Sequence, residues 1–251
     1  MAIDIIKKHE QAVGAFDFGR IKENKPLGFP QEGGLTRPIS NLFYWAHAWS
    51  DTGGLIDEHP HQGFEIMSYV LDGTISHYDN KLADWKNLSK GDAQLIKAGN
   101  GITHAEKLLP GAHIFQIWFD PNLNVSMRKP AEYSDIPSED FQVVEENGYS
   151  KKVVVGANSP MQLDAEGVEM TEYRLPKGDH TIEAAIDATY GVYLISGKAT
   201  LNGSDFAQDD YALVKESNSI QVSAEEDTLI FVLKVQNEVS YKTYAQLQGI
   251  A

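Results

Sequence analysis

"HPHQGFEIMSYVLDGTISHYDN", residues 59–80, places two histidines one residue apart at the head of a strand-like run. Residues i and i+2 of a strand point to the same face. His59 and His61 are therefore expected side by side, with Pro60 turned away. Further along, Asp72-Gly73 separates two β-rich runs and is a hairpin-type dipeptide. Downstream, "GDAQLIKAGNGITHAE" (91–106) brings another strand, a glycine-rich bend, and His104 and Glu106 at the same i, i+2 spacing. If the intervening hairpins bring these strands together, three imidazoles and a carboxylate converge. That donor set suits a first-row divalent metal and leaves coordination positions open.

Short apolar runs and turn signals continue through most of the chain. "AHIFQIWFD" is one strand candidate, and "KKVVVGA", "VEMTEYRLP", "YGVYLISGKATLNG", "DYALVKES" and "TLIFVLKV" are others. A turn signal every 8–12 residues or so is the texture of an antiparallel sandwich or barrel. The segment "DPNLNVSMRKPAEYSDIPSED" (120–140) holds three prolines and reads as a linker, with a short helix near "AEYSDIPSED" and another at "TYAQLQGIA". "MSYVLDGTISHYDN…LSKGDAQLIKA" and "GVYLISGKATLNG…FAQDDYALVKE" echo one another, which predicts an internal duplication of one β-barrel.

"HPHQGFEIMSYVLDG" with "GDAQLIKAGNGITHAE", continuing into "AHIFQIW", resembles the pirin family, two-domain members of the cupin superfamily. Gly53, His59, His61, Glu65 and Gly73, then Gly91 and His104, trace the general cupin pattern. Its departures, a late glycine after Glu65 and a longer second motif without proline, are those by which pirins differ from other cupins. The resemblance implies an all-β bicupin: two tandem antiparallel barrels of the jelly-roll (double-stranded β-helix) type with few short helices. The expected domains are 1–130, with the metal site, and 131–251, a cupin-like barrel without one. It implies one divalent metal per chain on His59, His61, His104 and Glu106, with Fe(II) expected and Mn, Ni, Cu, Co or Zn compatible. In many other cupins the position of Glu65 supplies the fourth ligand.

Two functions follow from the resemblance. One is a quercetin 2,3-dioxygenase-like enzyme acting on a small aromatic, flavonol-like substrate with O2, with Glu106 as catalytic base. The other is a non-catalytic, iron-dependent regulator of a transcription factor or metabolic enzyme, which would need a protein partner. Of the remaining histidines, His9, His47 and His180 lack a partner at metal-site spacing, His113 is not expected to bind metal, and His77, after the turn at Gly73, reads as structural with an approach to the pocket as the lesser alternative. Phe43, Tyr44, Trp45 and Trp49 are expected in the core or at a pocket rim.

Composition narrows the field. The 251 residues carry a formal net charge of -15 and no cysteine. The charge opposes direct binding to nucleic acid or to an anionic membrane, because neutralising phosphates needs Lys and Arg. The missing cysteines exclude disulfides, thiolate metal sites and cysteine nucleophiles. "MAIDIIKKHEQAVGAF" lacks the apolar stretch of a signal peptide, and no run reaches membrane-spanning length, so a cytoplasmic location is expected.

Overall fold

The computed structural model describes residues 2–33 and 37–249. Strands dominate, and the two α-helices among the described residues, Leu123–Ser126 and Tyr244–Gln248, are one turn each. The chain divides into two compact units. Gln11–Asp140, Leu163–Ala165 and Ser240–Ala251 form the N-terminal unit; Met1–Glu10, Phe141–Gln162 and Glu166–Val239 form the C-terminal unit.

Each unit is built from a seven-stranded and a four-stranded sheet. In the N-terminal unit the larger sheet runs Glu132–Ile136, Ala93–Lys97, Glu65–Asp72, Ala112–Phe119, Leu42–Ser50, Ile21–Leu27, Ala12–Phe16. The smaller runs Gly54–His61, Ile102–Leu108, Thr74–Asp79, Trp85–Ser89. The C-terminal unit repeats this order. Its larger sheet runs Ala2–Ile6, Tyr211–Lys215, Ala188–Ser196, Thr228–Gln236, Glu169–Leu175, Tyr149–Val155, Val143–Glu146. Its smaller sheet runs Gly178–Glu183, Ser219–Ala224, Lys198–Leu201, Ser204–Ala207. Ten strands correspond one to one in chain order, which is the duplication the sequence echoes suggest.

The eleventh strand of each unit is an edge strand, and an unpaired edge is a hazard that folds cover. In the N-terminal unit the cover is Glu132–Ile136, paired with Ala93–Lys97. This corrects the reading of 120–140 as a linker ending in a helix: apart from the one-turn helix, a strand and a 3₁₀ turn at Ser138–Asp140 occupy it. The strand's polar residues obscure it in the sequence, because an edge strand buries only part of one face; here Tyr133 is half-buried and Ile136 buried. The equivalent position in the C-terminal unit is filled by Ala2–Ile6, paired with Tyr211–Lys215. At the other end of the chain, Tyr241 donates to the Asp120 carbonyl at 2.8 Å and the Tyr244 amide to the Asp120 carboxylate. These bonds return the expected C-terminal helix to the N-terminal unit.

Alternation along the larger N-terminal sheet sorts its side chains. Val70, Ile114, Ala48 and Ile21 point inward and pack with Ile75, Leu88 and Leu108 into an apolar plug. Continuing the same inward phase, Ser68, Gln116, Trp118, Tyr44, Lys25 and Glu23 lie towards the other end. The barrel is thus apolar at one end and polar at the other.

Gly73 closes the hairpin between Glu65–Asp72 and Thr74–Asp79 at φ 69°. A Cβ there would lie 2.9 Å from Ala112 Cα and 3.0 Å from the Gly111 carbonyl oxygen. Gly111 has φ 81° but open space around it. Gly111→Ala should therefore cost only the left-handed backbone term, about 1–2 kcal/mol. Gly73→Ala should cost clearly more, because backbone must move as well. Urea unfolding midpoints of the two variants check this, and equal losses would refute it.

Candidate metal centre

The strand reading of the opening motif holds. Gly54–His61 carries His59 and His61, with ring centroids 4.8 Å apart and Pro60 exposed. Its neighbour Ile102–Leu108 carries His104 and Glu106, each 1% exposed. His104 is paired in register with His59, whereas Glu106 is opposite Ile56. Two steps on one strand match three on the other, so a bulge at Asp57-Glu58 interrupts the ladder. The bulge sets His59, whose Nδ1 donates to the Asp57 carbonyl at 2.7 Å. That bond fixes the tautomer and leaves the Nε2 lone pair free, the usual way a ligand imidazole is oriented.

His59, His61 and His104 each offer a nitrogen within 4.8 Å of the others. The Nε2 atoms of His59 and His104 are 3.0 Å apart. If His104 is protonated on Nε2, its buried Nδ1 is bare; if on Nδ1, that proton is unmatched and two lone pairs oppose each other. His104 Nδ1 and His61 Nε2 are both buried without a hydrogen-bond partner. A cation between the Nε2 atoms takes the opposed lone pairs of His59 and His104 and the unpartnered one of His61, so the residues fit a divalent ion. His61 and His104 are both depressed to about 3, first by burial and then by neighbouring imidazoles. They stay neutral, which is the ligating form.

Glu106 is held from the opposite sheet. Ser68 Oγ donates to Oε1 at 3.0 Å and Gln116 Nε2 to Oε2 at 2.6 Å. Ser68 and Gln116 are themselves a cross-strand pair. Glu106 also belongs to a second cluster with His77 and His104, all buried, with ligand atoms within 4.8 Å. His77 thus sits in a ligand cluster with His104 and Glu106. Its Nε2 donates to Asp79 Oδ2 at 3.2 Å, both side chains being fully buried, and its Nδ1 is left bare. The Asp79 carboxylate is fixed in turn by the Lys81 and Leu82 amides, each at 2.7 Å. Tyr133 stacks on the other side of the His77 ring at 4.8 Å.

Glu65 is elsewhere. Gly63, at φ 82°, breaks the strand phase between His61 and Glu65. On its own strand Glu65 has opposite parity to the inward Ile66 and Ser68. Its carboxylate accepts from the Asp164 and Ala165 amides at 2.7 and 2.9 Å. Burial raises its pKa, opposed by those amides and by Lys97. Asp79, Ser68, Gln116 and the Asp57 carbonyl are the supporting groups that sequence reading missed. "HYD" at 77–79 repeats the i, i+2 spacing of the opening motif, and Gln116 is an isolated polar residue in an apolar strand; both signals were present. His47 and His113 pair with each other at 3.1 Å, and His180 bonds the Pro176 carbonyl at 2.7 Å.

A cavity of about 690 Å³ opens beside His59 and Glu106, walled by Tyr44, Trp118, Phe29, Leu55 and Ile56 among others. In the C-terminal unit the corresponding strands turn Ile182, Ile220 and Val222 into an apolar core. Among the described residues, both three-ligand clusters lie in the N-terminal unit, and they share His104 as one candidate metal site. No described helix is long and apolar enough to cross a membrane.

The doubled barrel, with its described His/Glu clusters in the N-terminal unit, defines a bicupin. The Pirin family model matches residues 41–119. A pirin-like protein of Caulobacter vibrioides is 31% identical over 181 residues, covering 67% of this chain and 72% of that protein. A quercetin 2,3-dioxygenase of Escherichia coli K12 is 25% identical over 183 residues, 69% of this chain and 73% of that protein. A bacterial pirin of Escherichia coli crystallised with nickel(II) superposes with a TM-score of 0.79 at 21% identity, covering 94% of this chain and all of that one. The chain belongs to the pirin family.

The depressed histidines carry a sign that can be checked. A histidine near 6.5 unfolded and about 3 folded contributes stability above pH 6.5 that is lost as pH falls towards 3. In chelator-treated protein, His104→Gln should therefore flatten the fall in melting temperature between pH 6.5 and 4. An unchanged slope would show that these imidazoles are not buried neutral.

Proposed function

We propose that the N-terminal unit binds one divalent metal ion, Fe(II), through His59, His61, His104 and Glu106, and opens the ring of a flavonol such as quercetin with O2. One observation carries this reading: two three-ligand clusters, His59, His61 and His104 and then His77, His104 and Glu106, share His104 beside a 690 Å³ aromatic-walled cavity, with bare buried nitrogens on His61, His77 and His104. Similarity to a quercetin 2,3-dioxygenase and to a pirin crystallised with nickel(II) supports both halves of it.

His59, His61, His104 and Glu106 would hold the ion, which when bound would supply Lewis acidity. The protein's part is positioning and proton transfer. Tyr44 and Trp118, ring centroids 4.9 Å apart, line the cavity where a flat ring would rest. Glu106 faces the same cavity and takes the 3-hydroxyl proton, giving a more electron-rich flavonolate. Gln116 and Ser68 hold the carboxylate in place before and after that transfer. The apolar plug of Val70, Ile75 and Ile114 closes the barrel behind the site and limits water.

Iron-loaded protein incubated aerobically with quercetin should bleach the flavonol and release one CO per O2 consumed. No turnover with any of Fe, Mn, Ni, Cu, Co or Zn bound would defeat the enzymatic reading. Glu106→Gln should lower metal affinity about 10–100-fold, and turnover per bound metal further still, since an amide accepts no proton. Glu65→Gln should leave both nearly unchanged, because Glu65 is committed to the Asp164 and Ala165 amides. Metal analysis and turnover on both variants decide the roles; the reverse pattern would assign the ligand to Glu65.

A further inference from the structure

Five carboxylates line the cavity beside the metal centre: Asp17, Glu32, Asp57, Glu58 and Glu106. Lys25 is the one ammonium among the lining residues. Its charge is already matched, since Nζ lies 3.3 Å from Glu23 Oε2 and also pairs with Glu32 Oε1. Even a divalent ion on the histidines leaves this lining net negative. Like charges oppose an anion most strongly where water is partly excluded. The chemistry here is hostile to a carboxylate, sulfate or phosphate on the ligand.

The remaining lining is aromatic. Phe29 sits 5.3 Å from Tyr44 and 6.1 Å from Trp118, ring to ring, and Trp118 meets His61 edge-on at 4.9 Å. These rings make a continuous wall running to the ligand histidines. Phe18 stands at the rim, fully exposed, with φ 55°, next to Asp17 at φ 49°. Left-handed backbone is unfavourable at both positions, and a bare phenyl ring gains nothing from water. The turn is pinned by the Asp17 carboxylate, which accepts the Leu55 amide at 3.0 Å and faces Arg20 at 3.4 Å. Leu55 is on the same strand as His59. The turn therefore holds a phenyl ring at the mouth of the cavity, at a fixed place relative to the metal centre.

We propose that this cavity selects an uncharged or cationic flat aromatic ligand and rejects anionic conjugates, with Phe18 covering the ligand's outer ring. The inference rests on the flavonol reading above and names its substrate class. The carboxylates act by repulsion, and the aromatic faces favour neutral rings and cations alike.

The test is calorimetric titration of zinc-loaded protein under anaerobic conditions, so that no ligand is consumed by O2 while binding is measured. Three probes of one scaffold are compared: 3-hydroxyflavone, a ring-sulfonated derivative, and a derivative with trimethylammonium in place of the sulfonate. The sulfonate should bind at least about tenfold more weakly than the other two at low salt. The gap should narrow in about 0.5 M salt and in the Asp57→Asn/Glu58→Gln variant, whose altered side chains are exposed. Phe18→Ala should weaken the neutral and cationic probes alike, by several-fold. Equal affinity for all three probes, a gap indifferent to salt and to the two carboxylates, or an unchanged Phe18→Ala variant would overturn the proposal. If iron-loaded protein turns over quercetin while zinc-loaded protein shows no charge preference, only this inference fails. If no probe binds and no flavonol is consumed, the flavonol reading fails with it.

Discussion

Burying Glu106 is the constraint around which the N-terminal unit is arranged. A carboxylate 1% exposed inside a barrel is costly unless hydrogen bonds and a positive charge compensate it. Ser68 and Gln116 supply the hydrogen bonds from the facing sheet. Burial holds His104 and His61 neutral, so neither of these imidazoles supplies the charge. Each bare buried nitrogen adds about 1–3 kcal/mol of unmet hydrogen bonding. A metal ion supplies that charge and takes the imidazole lone pairs that face it, which is why the cluster makes chemical sense as a binding site and poor sense as a core. His77 is a second layer of the same arrangement. Asp79 takes its proton donor, and its other nitrogen is left beside His104 and Glu106.

The duplicated unit shows what the same scaffold does without that constraint. Ten strands recur in the same order, but at the strands matching the ligand strands the interior holds Ile182, Ile220 and Val222. The barrel order therefore does not require the site, and the site occupies only a few inward positions of a robust fold. The edge strands are equally interchangeable in role. One unit is covered by the segment that follows its ten strands and the other by the first strand of the chain, and both covers pair with the corresponding strand.

Much of the site was legible in the sequence because its signals are local. The two-residue period alone sets His59 beside His61 and His104 in phase with Glu106. The hairpin at Gly73 and the strand spacing are local too. What was not legible depends on distant pairing or on phase shifts. Glu132–Ile136 looks like a polar linker until Ala93–Lys97 is beside it. The bulge at Asp57-Glu58 that orients His59 is defined by the partner strand and not by its own residues. The direction of Glu65 turns on Gly63, where the sequence suggests an interruption without saying which side the carboxylate takes. Nothing in "FDFG" at 16–19 announces two consecutive left-handed residues before its glycine.

The two sheets of the N-terminal unit divide the work. The four proposed metal donors are on Gly54–His61 and Ile102–Leu108, neighbours in the four-stranded sheet. The side chains that brace Glu106 and much of the cavity wall come from the seven-stranded sheet: Ser68, Gln116, Trp118, Tyr44 and Lys25. Ligand geometry is thus fixed by one ladder and its bulge, while the shape and charge of the space in front are set largely by the other. Substitutions at Lys25, Tyr44 or Trp118 can change what the cavity admits without moving a ligand strand. Substitutions at Ser68 or Gln116 act through Glu106 on the metal centre itself. A barrel built this way can keep its cluster of candidate ligands and vary the cavity in front of it, because the two are carried by different strands.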